Sequence, residues 1–192
     1  MHNPILLFDQ FYQKELAQTQ VKIPSACCFT TIGMDGYPNS RFVSCKEVKK
    51  DQFIITGSKT ARKGQEVVQN NKVALAFWWT STNVQVRVQG TIEELSKEDS
   101  HRYFQERNRE SQAVSLVSAQ GEVLTNITDL EEAYSKIMQQ YEGQLLPTPE
   151  AFAAWAVQPY RIEFLVFSEA RFHERMLFEY EEGKWIKSWL KP

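Results

Sequence analysis

Glycine and proline are scarce in this chain, with 8 glycines and 7 prolines among 192 residues. Such a composition excludes the collagen-like and low-complexity classes. The longest uninterrupted apolar run, Val73–Trp79, is far too short to span a membrane. The N-terminus also lacks the basic region of a secretory signal. We therefore expect no membrane partner and a cytoplasmic location.

Cysteine and net charge are also low. The three cysteines, Cys27, Cys28 and Cys45, form neither a disulfide framework nor a C-x-x-C motif. No His/Cys cluster has metal-ligand spacing, so we expect no metal site. The formal net charge of −2 disfavours a nucleic-acid partner that binds through bulk charge, although a local basic patch stays open.

The remaining composition is that of one globular domain, with 42% hydrophobic residues and no internal repeat or linker across residues 1–192. Predicted helices cover residues 3–20, 60–70, 96–109, 129–141 and, as a short element, 149–157. Predicted strands cover residues 26–32, 40–48, 52–56, 73–79 and 84–95, followed by a meander over 160–190 with strands at 160–167, 171–180 and 184–190. Asp35-Gly36 predicts a hairpin turn, and Asn3, Thr60 and Ser96 are predicted helix caps. This pattern favours a mainly β fold, an antiparallel Greek-key barrel with peripheral helices.

Residues 41–63 form a concentrated basic segment, with seven basic and two acidic side chains in an otherwise acidic chain. A local excess of this size indicates a small phosphate-bearing ligand rather than a long polyanion. The candidates for that role are Arg41, Lys46, Arg62 and Lys63. The three other lysines of the segment, Lys49, Lys50 and Lys59, are interpreted as solvated loop residues.

A second basic cluster follows at residues 102–111. It contains Arg102, Tyr103, Arg107, Arg109 and Ser111. In a helix, Tyr103 and Arg107 face the same way, and their donors suit a phosphate monoester. The alternative is an ordinary exposed helix end.

The three histidines differ in their surroundings. His2 and His101 are expected to be solvated. His173 belongs to a predicted strand that places Arg171, His173 and Arg175 on one face. Two guanidinium groups around an imidazole indicate an anionic or electron-rich ligand.

Five segments, in this order and spacing, resemble the pyridoxine (pyridoxamine) 5′-phosphate oxidase family, which are FMN flavoproteins with a split-barrel fold. The segments are Ser40–Lys46, Ala61–Gly64, Asn83–Val86, Tyr103–Gln112 and Arg171–Arg175. The similarity covers essentially the whole chain.

The resemblance implies a role for each matching residue. FMN is expected to contact Arg41, Val43, Lys46, Arg62, Lys63, Gln85, Gln120 and Arg175. The substrate phosphate is expected at Lys46, Tyr103, Arg107 and Ser111. Arg171 and His173 match the pair that covers the substrate ring, and they are the candidate catalytic residues.

The implied reaction transfers a hydride from C4′ of pyridoxine or pyridoxamine 5′-phosphate to the flavin and yields pyridoxal 5′-phosphate. Molecular oxygen then reoxidises the flavin and is released as hydrogen peroxide. The implied assembly is a homodimer with FMN at the interface. The chain departs from the family at Thr56-Gly57, where Tyr-Thr is usual, at Leu165, where Trp is common, and at Gly121, where Ser is common. It begins at its first helix, so the N-terminal extension of many members is not expected.

Three alternatives stay open. The first is a related split-barrel FMN oxidase acting on another substrate, such as a phenazine precursor. The cluster of Lys46, Tyr103, Arg107 and Ser111 argues against it, because a substrate without phosphate does not need these donors. The second is a non-catalytic protein that binds FMN or pyridoxal phosphate. The third, a nucleic-acid module, lacks aromatic residues interleaved with the basic ones.

Overall fold

A computed structural model describes residues 3–192 of the chain. The helices in this range are α1 (Pro4–Leu16), α2 (Arg62–Gln69), α3 (Lys97–Gln105), α4 (Arg109–Val117) and α5 (Ile127–Gln140). The strands are β1 (Ala26–Ile32), β2 (Pro38–Lys49), β3 (Gln52–Ser58), β4 (Lys72–Trp79), β5 (Val84–Glu94), β6 (Phe152–Val166), β7 (Glu174–Glu181) and β8 (Lys184–Leu190). No described helix is long and apolar enough to cross a membrane.

The strands form one antiparallel sheet in the order β3-β2-β1-β4-β5-β6-β7-β8, and an additional β3–β6 pairing closes the first six strands into a barrel. Strand β6 serves both parts of the sheet. Its first half pairs with β3, and its second half pairs with β7. The pairing partner of β6 changes from β3 to β7 near Pro159, beside a bulge in the β5–β6 ladder. The mainly β barrel with peripheral helices is therefore confirmed.

The core fills the barrel, and α1 packs across it. The Phe8 ring of α1 lies 5.0 Å from the Phe53 ring and 5.1 Å from the Phe77 ring, both in edge-on contact. The buried Glu15 carboxylate, also on α1, accepts hydrogen bonds from the backbone N–H groups of Ser81 and Thr82. Aromatic packing and this polar anchor fix α1 against the β4–β5 turn.

Many element predictions are confirmed. Strand β1 has the predicted bounds, and β8 does as well. Asn3 caps α1, and Ser96 caps α3 by accepting the Asp99 N–H. Gly36, in the predicted hairpin turn, has φ of +81°, a conformation that glycine adopts without a Cβ clash.

Other predictions are wrong. Helix α1 ends at Leu16 rather than at residue 20, and the predicted helix over 96–109 is two helices that break between Gln105 and Arg109. The short helix expected at 149–157 is instead the first half of β6, because β3 and β5 both pair with that apolar stretch. Thr60 does not cap α2. Ala61 occupies the N-cap without a side-chain hydrogen bond.

Candidate active site

A cavity of about 1070 Å³ opens between the barrel and the helices. Its walls come from β2, β3, α2, the α3–α4 connection, α4 and the segment that precedes β6. Seven of the predicted site residues line it: Arg41, Val43, Lys46, Lys63, Arg107, Ser111 and Gln120.

Lys46 points into this cavity because of an irregularity in β2. The β2–β3 register shifts between Cys45 and Glu47, so Lys46 is the extra residue of a β-bulge. A bulge of this kind re-aims a side chain relative to the strand. Burial, and next the positive charge of Arg107, lowers the pKa of the Lys46 ammonium group.

Arg107 faces the same cavity from the turn between α3 and α4. Its guanidinium lies 5.3 Å from the centre of the Phe152 ring, and burial lowers its pKa. Within residues 3–192, neither Arg107 nor Lys46 forms a salt bridge. Arg107 is partly buried and Lys46 is exposed to the cavity. Two cations on one cavity wall without a carboxylate partner favour an anionic ligand.

Gly57 has no side chain, and the Lys63 side chain occupies the space next to it. A Cβ at Gly57 would lie 2.7 Å from Cε of Lys63 and 3.2 Å from the Trp155 ring. Lys63 Nζ donates to Oε1 of Gln120 at 2.7 Å, which links α2 to the segment after α4. Burial, and next the charge of Arg41, lowers the pKa of the Lys63 ammonium group.

The Arg41 and Arg62 side chains are held by Glu66, a fully buried residue of α2 that the sequence analysis did not single out. Arg41 Nη2 lies 3.1 Å from Glu66 Oε2, and Arg62 Nε lies 2.8 Å from Glu66 Oε1. Arg62 also pairs with Asp35 and does not line the cavity. The only signal for Glu66 in the sequence is its i,i+4 spacing from Arg62.

The Glu66 carboxylate has further hydrogen-bond donors in Thr31 and Asn39. Burial by itself raises the pKa of this carboxyl. The hydrogen bonds from Thr31, Asn39 and Arg62, together with the charge of Arg41, outweigh burial and bring the pKa to about 2.

Tyr103 does not line the cavity. Its side chain is 1% exposed, and its hydroxyl donates a hydrogen bond to Oε1 of Glu47. The guanidinium carbon of Arg102 lies 3.9 Å from the centre of the Tyr103 ring. Arg102 belongs to α3, whereas Arg107 follows the end of that helix. The Arg109 guanidinium donates hydrogen bonds to the backbone carbonyls of Gln144 and Tyr141.

The other predicted flavin contacts lie on the outer face of the sheet. Gln85, Leu165 and Arg175 are direct partners across β5, β6 and β7 and therefore point to the same side. Trp78 extends this row on β4. Arg175 forms two hydrogen bonds to the buried Glu163, at 2.8 and 3.1 Å.

Arg171 and His173 precede β7, which begins at Glu174, so their expected placement on a strand face with Arg175 is wrong. Arg171 has φ of +63°, a turn conformation that is incompatible with a strand. His173 packs 4.8 Å from the Phe167 ring, and its Nδ1 accepts from the Ser168 N–H at 3.2 Å. This hydrogen bond leaves the proton of a neutral imidazole on Nε2.

We call Gln85, Arg171, His173 and Arg175 the outer cluster. None of them lines the large cavity within residues 3–192. The Phe167 ring connects this cluster to Trp78, which it contacts edge-on at 5.1 Å. One copy of the chain therefore separates most of the predicted site residues into a cavity group and an outer group, and Arg62 and Tyr103 belong to neither.

The remaining histidines are outside both groups. His101 pairs with the Thr148 hydroxyl at 2.7 Å on an exposed surface. His2 lies outside the described residues. Among residues 3–192, no group of three His, Cys, Asp or Glu side chains is arranged to hold a metal ion.

Comparison with known proteins agrees with this architecture. The model of the pyridoxamine 5′-phosphate oxidase family matches residues 13–141. A pyridoxine/pyridoxamine 5′-phosphate oxidase of Leptospira biflexa is 33% identical over 190 residues, covering 99% of this chain and 89% of the relative. The Myxococcus xanthus protein of the same name is also 33% identical, over 99% of this chain and 92% of its own.

Two solved structures share the fold. The structure of PhzG from Burkholderia lata, in complex with tetrahydrophenazine-1-carboxylic acid, superposes with a TM-score of 0.92 at 24% identity, covering 99% of this chain and 93% of that one. A pyridoxamine 5′-phosphate oxidase-related, FMN-binding protein from Nostoc punctiforme gives a TM-score of 0.82 at 12% identity, covering 100% and 98%. The fold is the FMN-binding split barrel, and with the matching family model and the full-length relatives, this chain belongs to the pyridoxamine 5′-phosphate oxidase family.

Proposed function

We propose that this protein is an FMN-dependent oxidase that converts pyridoxine 5′-phosphate or pyridoxamine 5′-phosphate to pyridoxal 5′-phosphate, with reduction of O₂ to H₂O₂. The observation that carries the proposal is the pair of cations that line the large cavity without carboxylate partners in the described chain, Lys46 and the partly buried Arg107. Such a pair suits a phosphate monoester, and Ser111 adds a hydroxyl donor to the same wall.

The residues present also fit FMN. Lys63, which forms no salt bridge in the described chain, and the Glu66-anchored Arg41 line the same cavity, where they would hold a second phosphate. Val43 and Gln120 line the cavity as well. Bound FMN would supply the hydride acceptor and the reaction with oxygen. The protein would contribute two separate phosphate anchors, and anchoring both ligands orients the reacting atoms.

The outer cluster completes the proposal through a second copy of the chain. Gln85 and Arg175 lie on a sheet face that also exposes Trp78 (52%) and Phe42 (79%), and Phe42 lies at the rim of the cavity. Exposed aromatic residues on one face are typical of an interaction surface. In a two-fold dimer that covers this face, each cavity would receive Gln85, Arg171, His173 and Arg175 of the partner. We therefore propose a homodimer with two shared sites, in which Arg171 and the Nε2–H of His173 contact the substrate.

A phenazine-precursor oxidase is the second candidate, and two observations favour it. The PhzG structure was solved with a tetrahydrophenazine carboxylic acid, and its fold superposes closely on this chain. In the present protein the hydroxyl of Tyr103 is also directed to Glu47 instead of the cavity. Lys46 and Arg107 still favour the phosphorylated substrate, because a carboxylate does not require two further cations and a hydroxyl.

The test is anaerobic reduction of the FMN-loaded protein. Pyridoxine 5′-phosphate should bleach the visible flavin absorption, and admission of oxygen should restore it with formation of hydrogen peroxide. Bleaching by tetrahydrophenazine-1-carboxylic acid alone would support the second candidate. Bound flavin that neither class of substrate reduces would indicate a binding protein.

A further inference from the structure

The Tyr103 hydroxyl donates a hydrogen bond to the carboxylate of Glu47, the neighbour in sequence of the cavity residue Lys46. Tyr103 is buried among Ile54, Ala154 and Ala156, so its ring position is fixed. Burial, and next the hydrogen bond to Glu47, raises the pKa of the phenol to about 12. The phenol therefore keeps its proton at neutral pH and acts as a donor.

Glu47 is the residue directly after Lys46 at the β2 bulge. Lys46 lines the large cavity, whereas Glu47 lines a second cavity of about 400 Å³ between α1 and β2, which Lys46 also borders. The Tyr103 hydroxyl thus contacts the immediate neighbour of the cation that we assign to the substrate phosphate. The Glu47 carboxylate accepts the hydrogen bond of that hydroxyl, and the Arg102 guanidinium lies beside it.

The Glu47 carboxylate can leave Tyr103 without becoming a buried unpaired charge. Its side chain is 41% exposed, and Arg102 Nη2 lies 3.5 Å from Oε1. Arg102 has other carboxylate partners in Glu106 and Asp99. The hydrogen bond between Tyr103 and Glu47 is therefore exchangeable, unlike the enclosed contacts of Glu66.

We propose that Glu47 is a specificity-determining residue that weakens binding of phosphate monoesters by competing with them for the Tyr103 hydroxyl. This inference rests on the proposed function, which places a phosphate at Lys46 and Arg107. A bound phosphate gains the Tyr103 donor only when Glu47 releases it, so the net benefit of that donor is small in the natural chain. Removal of Glu47 makes the Tyr103 hydroxyl available without this exchange.

The experiment is a double-mutant cycle on the FMN-loaded protein with Glu47→Ala, Tyr103→Phe and the double variant. The probe is 4-deoxypyridoxine 5′-phosphate, which lacks an oxidisable group at C4′, and its dissociation constant is measured by calorimetry. Glu47→Ala should lower the dissociation constant about three- to tenfold. Tyr103→Phe should change it less than about threefold alone, but should abolish most of the gain when added to Glu47→Ala.

Glu106→Ala is the matched control, because Glu106 also lines the cavity and pairs with Arg102 but does not touch Tyr103. Its effect on binding should be additive with Tyr103→Phe. An equal gain from Glu47→Ala in the Tyr103→Phe background would show that Glu47 acts by charge alone and would overturn the proposal. An unchanged or weaker affinity in Glu47→Ala would overturn it as well.

The oxidase assignment and the role of Glu47 can fail separately. If the probe binds but pyridoxine 5′-phosphate does not reduce the flavin anaerobically, the oxidase assignment is contradicted. The double-mutant cycle can still be interpreted in that case. Normal flavin reduction with additive effects in the cycle would contradict only the role of Glu47. If neither the natural chain nor Glu47→Ala bound the probe, both would be wrong.

Discussion

The buried carboxylate of Glu66 lies 3.1 Å from the guanidinium of Arg41, the first basic residue of the cationic segment. The same carboxylate also binds Arg62. Two of the four cations that the sequence of residues 41–63 assigns to phosphate are therefore paired with one buried carboxylate. The free positive charge of the cavity comes instead from Lys46, Lys63 and Arg107.

The ion pairs of Glu66 with Arg41 and Arg62 should make the free energy of unfolding depend on pH in the acid range. The pKa of Glu66 is about 2 in the folded protein, against an ordinary value of 4.5, so its contribution is complete above pH 4.5 and is lost as the pH falls toward 2. Glu66→Gln should lower the free energy of unfolding by about 3 kcal/mol at pH 7. The difference from the natural chain should shrink below pH 4.5, since protonated Glu66 resembles glutamine.

Urea unfolding monitored at several pH values measures this difference. The control is Glu94→Gln, which removes an exposed carboxylate paired with Lys59. It should change the free energy of unfolding by less than about 1 kcal/mol. A constant difference for Glu66→Gln from pH 7 to pH 3 would contradict the linkage.

Arg107→Ala should raise the KM for pyridoxine 5′-phosphate about ten- to one-hundredfold, because it removes a charge-assisted contact to the phosphate. Steady-state peroxide production measures KM and kcat. Lys136→Ala on α5, whose side chain is 77% exposed, provides the control and should change neither constant. An unchanged KM in Arg107→Ala would exclude the phosphate assignment.

Gly57→Ala should weaken FMN binding several-fold. The new Cβ would meet Cε of Lys63 at 2.7 Å, so the lysine side chain must shift, and we expect its hydrogen bond to Gln120 to weaken. Quenching of flavin fluorescence during titration gives the dissociation constant. Lys63→Met should cause a comparable loss, and the two changes together should be no worse than either alone. Additive losses would mean that the added methyl group acts through another contact, such as the Trp155 ring.

Trp78→Glu should convert the proposed dimer to a monomer, because a carboxylate on the exposed sheet face would have to be buried at the interface. Sedimentation velocity measures the change, and FMN affinity should fall with it. Val68→Glu places the same charge at an 83% exposed position on α2 and should leave the sedimentation coefficient unchanged. A natural chain that sediments as a monomer would contradict the shared sites.

Arg171→Ala should reduce kcat at least tenfold while leaving FMN binding within about twofold, because Arg171 is proposed to contact the substrate ring and not the flavin phosphate. Single-turnover flavin reduction separates this step from oxygen reaction. Loss of FMN from the purified variant would show that the role assigned to Arg171 is wrong.

Local sequence patterns predicted most of the elements. Alternation of apolar residues closely predicts the bounds of β1, β4 and β5, and the polar caps at Asn3 and Ser96 mark the starts of two helices. The errors occur where tertiary contacts override local preference. Residues 152–157 form a strand because β3 and β5 flank them, and Arg171 lies in a turn that begins outside any repeating pattern.

The sequence by itself determined the fold class, the family and the set of basic residues, because hydrophobic periodicity and motif spacing are properties of the linear chain. Only the tertiary structure decided which of those cations are free. Glu66 and Glu163 are buried carboxylates that neutralise arginines far away in sequence, and Glu47 holds Tyr103 across 56 positions. Such pairings depend on which strand and helix lie side by side, so no local pattern can predict them.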